Sequence, residues 1–340
     1  MGEALYEVRT LDESEYEAWD RFSQESEQGT FYTSTAWIRT IDRHFGKVRI
    51  VGVFSGEEIV AGCIFIERKI WRHFLEGAHM PLTPYSGILL RKSGTSKLSR
   101  LESERKKVMT SLVNYIDGLY SAVYIVNSPA LSDIRDFIWS GWDSRVKYTY
   151  RICTDNLEQI WARFDNNLRR QIQKAQDHNI RIIEGDDFSH FYDLLESTYV
   201  RQDMEVPVTR DFLDDLNKDV IQAGKGVLFL SIEKNQQISA GAFIAWDDKR
   251  AYYTLGASDP EFLGSGAPSL LQWHIITFLH HRGLPYDLVG ANTPSIVRHK
   301  RGFNPTLVPY YEVYKINSLG WSLAKHGLMM GRQLKRRIWK

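Results

Sequence analysis

The sequence predicts an α+β (mixed α/β) protein built from two similar modules. Three observations point that way. A hairpin pattern occurs twice, over residues 51–66 and 227–244, and each second strand opens with Ile-x-Ala-Gly, at Ile59-Val60-Ala61-Gly62 and Ile238-Ser239-Ala240-Gly241. An acidic amphipathic helix precedes each copy, around residues 16–22 and 188–199. Each half then mixes hairpins with helical crossovers, which fits a mixed sheet better than a doubly wound one. Chance resemblance of two ordinary hairpins is the alternative.

The elements follow in order. Residues 6–10 read as a strand, 35–44 as a helix, and 51–66 as two apolar strands around the polar turn Ser55-Gly56-Glu57-Glu58. A strand over 86–90 leads to a long charged helix over 97–120, with Leu101, Val108, Leu112 and Ile116 as its inward stripe, and to a strand over 122–126. The second half opens near Asn156 with a helix carrying Ile160, Trp161 and Phe164. In the next helix Leu168, Ile172 and Ala175 recur at i, i+4 and i+7, and Arg169, Arg170 and Lys174 fall off that stripe. Strand 180–183, a helix, the second hairpin, strand 251–255, a helix over 269–281 and a strand at Asp287 complete the pattern.

Composition narrows the classes. The chain has 340 residues, 43 basic and 42 acidic side chains, and a net charge of +1, which argues against a nucleic-acid binder held by bulk charge, and no DNA partner is expected. Cys63 and Cys153 form neither a metal spacing nor a disulfide framework, which points to a reducing compartment. The N-terminal residues lack the pattern of an export signal, Tyr6 stands where a myristoylation site needs Ser or Thr, and no apolar run reaches membrane-spanning length. A cytoplasmic protein is expected.

The most telling stretch is Tyr286-Asp287-Leu288-Val289-Gly290-Ala291 followed by Ile296-Val297-Arg298-His299-Lys300-Arg301-Gly302-Phe303. A buried strand ends in Gly-Ala, and a short segment then delivers cations, where open α/β sheets present their sites. Such cations can hold an anion or stabilise a developing oxyanion; a solvated basic loop is the alternative. Between strand and helix, Gly264-Ser265-Gly266 can expose N–H groups, and a helix started by Pro268 or Ser269 offers an anion site. His280 and His281 point to different sides of one helix and share no metal. Residues 321–340 carry six lysines and arginines, one histidine and no acid, with Leu323, Met330, Leu334 and Ile338 at helical spacing between Trp321 and Trp339. That reads as an amphipathic helix for an anionic membrane or RNA, or as a packed terminal helix.

Taken together, these features resemble the FemABX-like (peptidoglycan bridge-forming) aminoacyl and acyltransferase family, built from tandem GNAT-fold domains. The resemblance is strongest over residues 161–314. It rests on Asn167-Leu168-Arg169-Arg170-Gln171-Ile172-Gln173-Lys174-Ala175, Thr198-Tyr199-Val200-Arg201, Ala251-Tyr252-Tyr253-Thr254-Leu255-Gly256-Ala257, Leu271-Gln272-Trp273, the strand at Tyr286-Asp287 and Lys300-Arg301-Gly302-Phe303. Phe31-Tyr32-Thr33-Ser34-Thr35-Ala36-Trp37 and Pro84-Tyr85-Ser86-Gly87-Ile88 match more loosely.

The resemblance implies two GNAT-like domains, 1–155 and 156–318, before a basic tail, 319–340. It implies N-acyl or aminoacyl transfer to an amine of a cell-envelope precursor, peptidoglycan, lipid-linked or polysaccharide. The donor would be acyl-CoA or aminoacyl-tRNA, with no tightly bound cofactor and no metal. Lys300 would stabilise the oxyanion and Tyr253 would line the acceptor channel as the second catalytic residue. Arg201 would bind an anionic acceptor, with Trp37 and Tyr85 completing the cleft, and Gly264, Ser265 and Gly266 would hold the donor. The tail would bring the enzyme to the inner membrane face. Three departures stand out. Glu261 occupies a place where the donor loop is usually basic or amide and would repel pyrophosphate; no long charged helical hairpin is inserted; and residues 84–90 offer no aspartate. A degenerate, non-catalytic GNAT pair that binds an envelope lipid or polysaccharide is the rival reading.

Overall fold

The computed structural model describes residues 6–71, 73–201, 204–323 and 325. The first elements are β1 (Glu7–Thr10), α1 (Tyr16–Glu25), α2 (Thr35–Phe45), β2 (Val48–Ser55), β3 (Glu58–Ile70), β4 (Phe74–Ala78), β5 (Leu89–Leu90), α3 (Leu98–Leu119), β6 (Ala122–Val126), α4 (Arg135–Trp139) and β7 (Asp143–Ile152). Then come α5 (Leu157–Arg163), α6 (Asn166–Asp177), β8 (Arg181–Gly185), α7 (Phe188–Val200), α8 (Arg210–Leu216), β9 (Gly226–Ile232), β10 (Ile238–Trp246), β11 (Ala251–Ser258), α9 (Ala267–His281), β12 (Tyr286–Asp287), α10 (Pro294–Lys300) and β13 (Thr306–Ile316).

The chain forms two compact units, Met1–Val146 with Tyr310–Lys340, and Lys147–Pro309. It leaves the first within β7 and returns within β13. The boundaries drawn from sequence, 155/156 and 318/319, lie elsewhere, because strand pairing assigns the closing strands. Ile152 of β7 pairs with Tyr286 of β12, and Glu312 of β13 pairs with Val126 of β6.

Each unit repeats one sheet plan. The first runs β1-β2-β3-β4-β6-β13, with β5 on β3; the second runs β8-β9-β10-β11-β12-β7. Neighbours are antiparallel except β4 with β6 and β11 with β12, which are parallel. The two hairpins therefore hold the same second and third places. Their shared glycine has a packing reason. A Cβ on Gly62 would meet the Trp19 ring of α1 at 2.5 Å, and one on Gly241 would meet the Phe191 ring of α7 at 2.7 Å. In both units an aromatic from the preceding helix lies on the bare strand, and each is fully buried. Burying one such ring contributes about 1.5–3 kcal/mol.

The cores follow the predicted stripes. In the first unit Val108, Leu112 and Ile116 of α3 pack on Val51, Cys63 and Val123, while Leu101 is only partly covered. In the second, Leu168, Ile172 and Ala175 of α6 join Ile275 and Leu279 of α9 against the sheet. No helix among the described residues is long and apolar enough to cross a membrane. Trp321 is buried, and Lys325 pairs with the buried Glu76 carboxylate at 2.8 Å. The remaining tail cations, which carried the amphipathic reading, lie outside the described residues.

Candidate functional site

The second unit opens where its two parallel strands part. β11 and β12 pair at only two places, Ala251 with Tyr286 and Tyr252 with Asp287, after which β12 ends and β11 runs on to Ser258. A wedge at the carboxyl ends of parallel strands is where α/β sheets hold ligands. β11 also bulges there: Phe243 faces Leu255 and Ile244 faces Tyr253, so Thr254 is skipped. The extra residue puts Tyr253 and Gly256 on one face. Gly256 makes room for the phenol, since a Cβ there would stand 1.5 Å from Tyr253 Oη.

The end of β12 is built around Asp287, whose residue is 0 % exposed. Its Oδ1 accepts from Thr149 Oγ1 at 2.5 Å and from the Val289 amide at 3.0 Å; its Oδ2 accepts from Arg151 Nε at 3.0 Å. Val289 and Gly290 are both left-handed, with φ of 55° and 63°. From the last residue of α10, Lys300 reaches back and donates through Nζ to the carbonyls of Leu288, at 2.5 Å, and Val289, at 3.0 Å. The ammonium also lies 5.0 Å from the centre of the Tyr253 ring, a cation–π contact. Burial pushes the lysine down to about 8, and the nearby Asp287 carboxylate only partly opposes this. Burial likewise raises the Tyr253 phenol, helped by Tyr199 of α7.

The first unit closes the equivalent wedge with its own chain. The Val126–Asn127 peptide donates its N–H to Tyr311 O on the β13 side, while the Val126 carbonyl, on the β4 side, accepts from the Ser86 amide at 3.1 Å. Ile88 N donates to Asn127 Oδ1. Tyr85, 1 % exposed, packs edge-on against Tyr310, and Trp37, 0 % exposed, donates to Thr83 Oγ1. Trp37 and Tyr85, expected to line a cleft, are core side chains with no face open to substrate.

The remaining expected residues fall in the second unit. Arg201 ends α7, exposed, its side chain making no hydrogen bond or ion pair with a described residue. Of Gly264, Ser265 and Gly266, the first is exposed with open space around it, and only Gly266 is buried and closely packed. Lys174 of α6 donates to Gly264 O, and a Cβ on Gly266 would stand 2.2 Å from Gln171 O. In the first turn of α9, Ala267 N donates to Ser265 Oγ, Pro268 has no N–H, and Ser269 N and Leu270 N donate to Gly266 O. Those donors, expected to meet the anionic donor group, are satisfied within the protein. The site residues not foreseen are Thr149 and Arg151; an aspartate inside the apolar run Tyr286 to Val289 was the available signal.

Residues 162–301 match the acetyltransferase (GNAT) domain family. No curated protein matches the chain in sequence. Among solved structures, FemX superposes with a TM-score of 0.70 at 13% identity, over 93% of this chain and 99% of that one. The C-terminal domain of a protein from Agrobacterium fabrum described as a lysylphosphatidylglycerol synthetase gives 0.57 at 12%, over 93% and 95%. L-PGS from Bacillus licheniformis gives 0.54 at 12%, over 96% and 97%. The repeated sheet plan, the parted parallel strands and these likenesses together show a tandem GNAT fold similar to that of FemX.

Proposed function

We propose that the protein transfers an acyl or aminoacyl group from acyl-CoA or aminoacyl-tRNA to an amine of a cell-envelope precursor. One observation carries the reading: a desolvated lysine ammonium held at the mouth of the parted strands of a GNAT-type unit. Two of the three N–H bonds of Lys300 are spent on the Leu288 and Val289 carbonyls, which leaves one to donate outward. The acceptor amine attacks the donor carbonyl carbon, a C–N bond forms, and the carbonyl oxygen becomes an oxyanion that accepts this third N–H. The carbonyl re-forms as the donor's thiolate or ribose oxygen leaves and takes up a proton. A fixed cation stabilises the oxyanion more than the ground-state carbonyl. Tyr253 positions Lys300 and borders the acceptor, and exposed Arg201 suits an anionic group on it. The envelope class is supported by the likeness to FemX and to proteins described as lysylphosphatidylglycerol synthetases. The basic tail would hold the enzyme to an anionic membrane face.

The test is turnover of panels of acyl-CoA and aminoacyl-tRNA donors against amine-bearing envelope precursors, by wild type and Lys300→Met. The variant should still fold with a cooperative melt and lose roughly a hundredfold or more in rate. Equal rates would remove Lys300 from the chemistry. The internally satisfied start of α9 favours a second reading, a non-catalytic binding module, which wild-type binding without turnover of any donor would establish.

A further inference from the structure

A separate feature lies along one side of α10. A cavity of about 400 Å³ is lined by Ala291, Asn292, Pro294, Val297, Arg298 and Arg301. Positions 294, 297, 298 and 301 follow i, i+3, i+4 and i+7, one helical face, and the loop at 291–292 forms the facing wall. That wall is pinned: Asn292 Oδ1 accepts from Tyr148 N at 2.8 Å, and Asn292 Nδ2 donates to Tyr148 O at 3.0 Å.

We infer that this cavity is a phosphate-binding site, with Arg298 and Arg301 supplying the two guanidiniums. No acid lines it. Neither arginine makes an ion pair or side-chain hydrogen bond with a described residue, whereas Arg49, Arg105, Arg151 and Arg210 all hold carboxylates. Two like charges on one face repel, and an anion between them removes that cost. Planar guanidinium forks match a phosphate's oxygens in pairs. The first-turn N–H donors of α9, by contrast, are already satisfied within the protein. The inference deepens the transferase reading by giving the substrate a phosphate. It rests on that reading only for which substrate carries the group, since coenzyme A and tRNA share this chemistry.

Binding without turnover keeps the two readings apart. Full-length protein is titrated with coenzyme A by calorimetry and with fluorescein-labelled deacylated tRNA by anisotropy, at low and moderate salt. Wild type is compared with Arg298→Gln/Arg301→Gln, with Arg298→Lys/Arg301→Lys, and with Arg170→Gln, an exposed arginine on α6. The Gln pair should weaken one ligand about tenfold or more with an unchanged melt, the Lys pair should recover part of that loss, and Arg170→Gln should leave binding as it was. If tRNA is the carrier, the Gln pair should also lower the salt slope by roughly 1–2 units. Loss confined to coenzyme A or to tRNA identifies the carrier and supports the site. Unchanged affinity for both in the Gln pair, loss equal to that of Arg170→Gln, or no binding of either ligand by wild type overturns it.

Discussion

The Asp287 carboxylate offers the sharpest test of how the site is held. Its two oxygens have different duties: Oδ1 takes Thr149 and Val289, and Oδ2 takes Arg151. In Asp287→Asn, the amide oxygen can keep the first two bonds only by turning its NH₂ toward Arg151 Nε–H, donor against donor. In Arg151→Met, the buried carboxylate loses the cation it hydrogen-bonds, with the Lys300 ammonium still nearby. Removing one partner of a buried pair costs about 3–5 kcal/mol. At least the Thr149 and Val289 hydrogen bonds survive here, and the Arg151 side chain is 21% exposed, so about 2–3 kcal/mol is expected for each single change. The double variant Arg151→Met/Asp287→Asn removes both the unpaired charge and the donor conflict. Its cost should fall short of the sum by roughly 1 kcal/mol or more. Urea unfolding of the four proteins at one pH measures the cycle. Additive costs would mean that Asp287 and Arg151 are independent, and the account of the strand end would be wrong.

Two further outcomes follow from the same site. Because burial holds Lys300 at about 8 against the usual 10.5, the unfolded chain binds more protons between those values, and stability should rise with pH through that window. Relative to Lys300→Met, the wild type should gain about 2 kcal/mol from pH 7.5 to 10.5, after allowance for solvent around the half-buried stem, and a flat difference between their urea midpoints would refute the burial. Gly256→Ala should cost about 1–3 kcal/mol by driving a methyl into the Tyr253 phenol, and Tyr253→Ala should remove most of that added cost in a thermal-melt cycle; an undiminished penalty in the double variant would refute the contact.

What was legible in the sequence followed its local patterns. β6 was delimited to the residue and α9 to within two, because apolar runs and helical stripes are local signals. β4, β7 and β13 went unread. β7 and β13 are mostly exposed or half-buried, with little alternation, and β4 contains Glu76, a buried acid paired with Lys325 from far along the chain. Lys300 and Tyr253 came through family resemblance, and the structure brings them together. Trp37 and Tyr85 show the limit of that route: an aromatic beside a helix start reads the same whether it lines a cleft or fills a core. The partners of Asp287 were out of reach because Arg151 lies 136 residues away in sequence.

The crossed closing strands set a timetable for synthesis. β6 leaves the ribosome with one edge bare, and the strand that covers it, β13, follows only after roughly 180 further residues. At elongation rates of roughly 5–20 residues per second that gap lasts on the order of ten to forty seconds. The second unit waits less, because β7 is covered by β12 after roughly 130 residues, before β13 emerges. The half made first is therefore the half finished last, and until then it carries an open strand edge of the kind that recruits other chains.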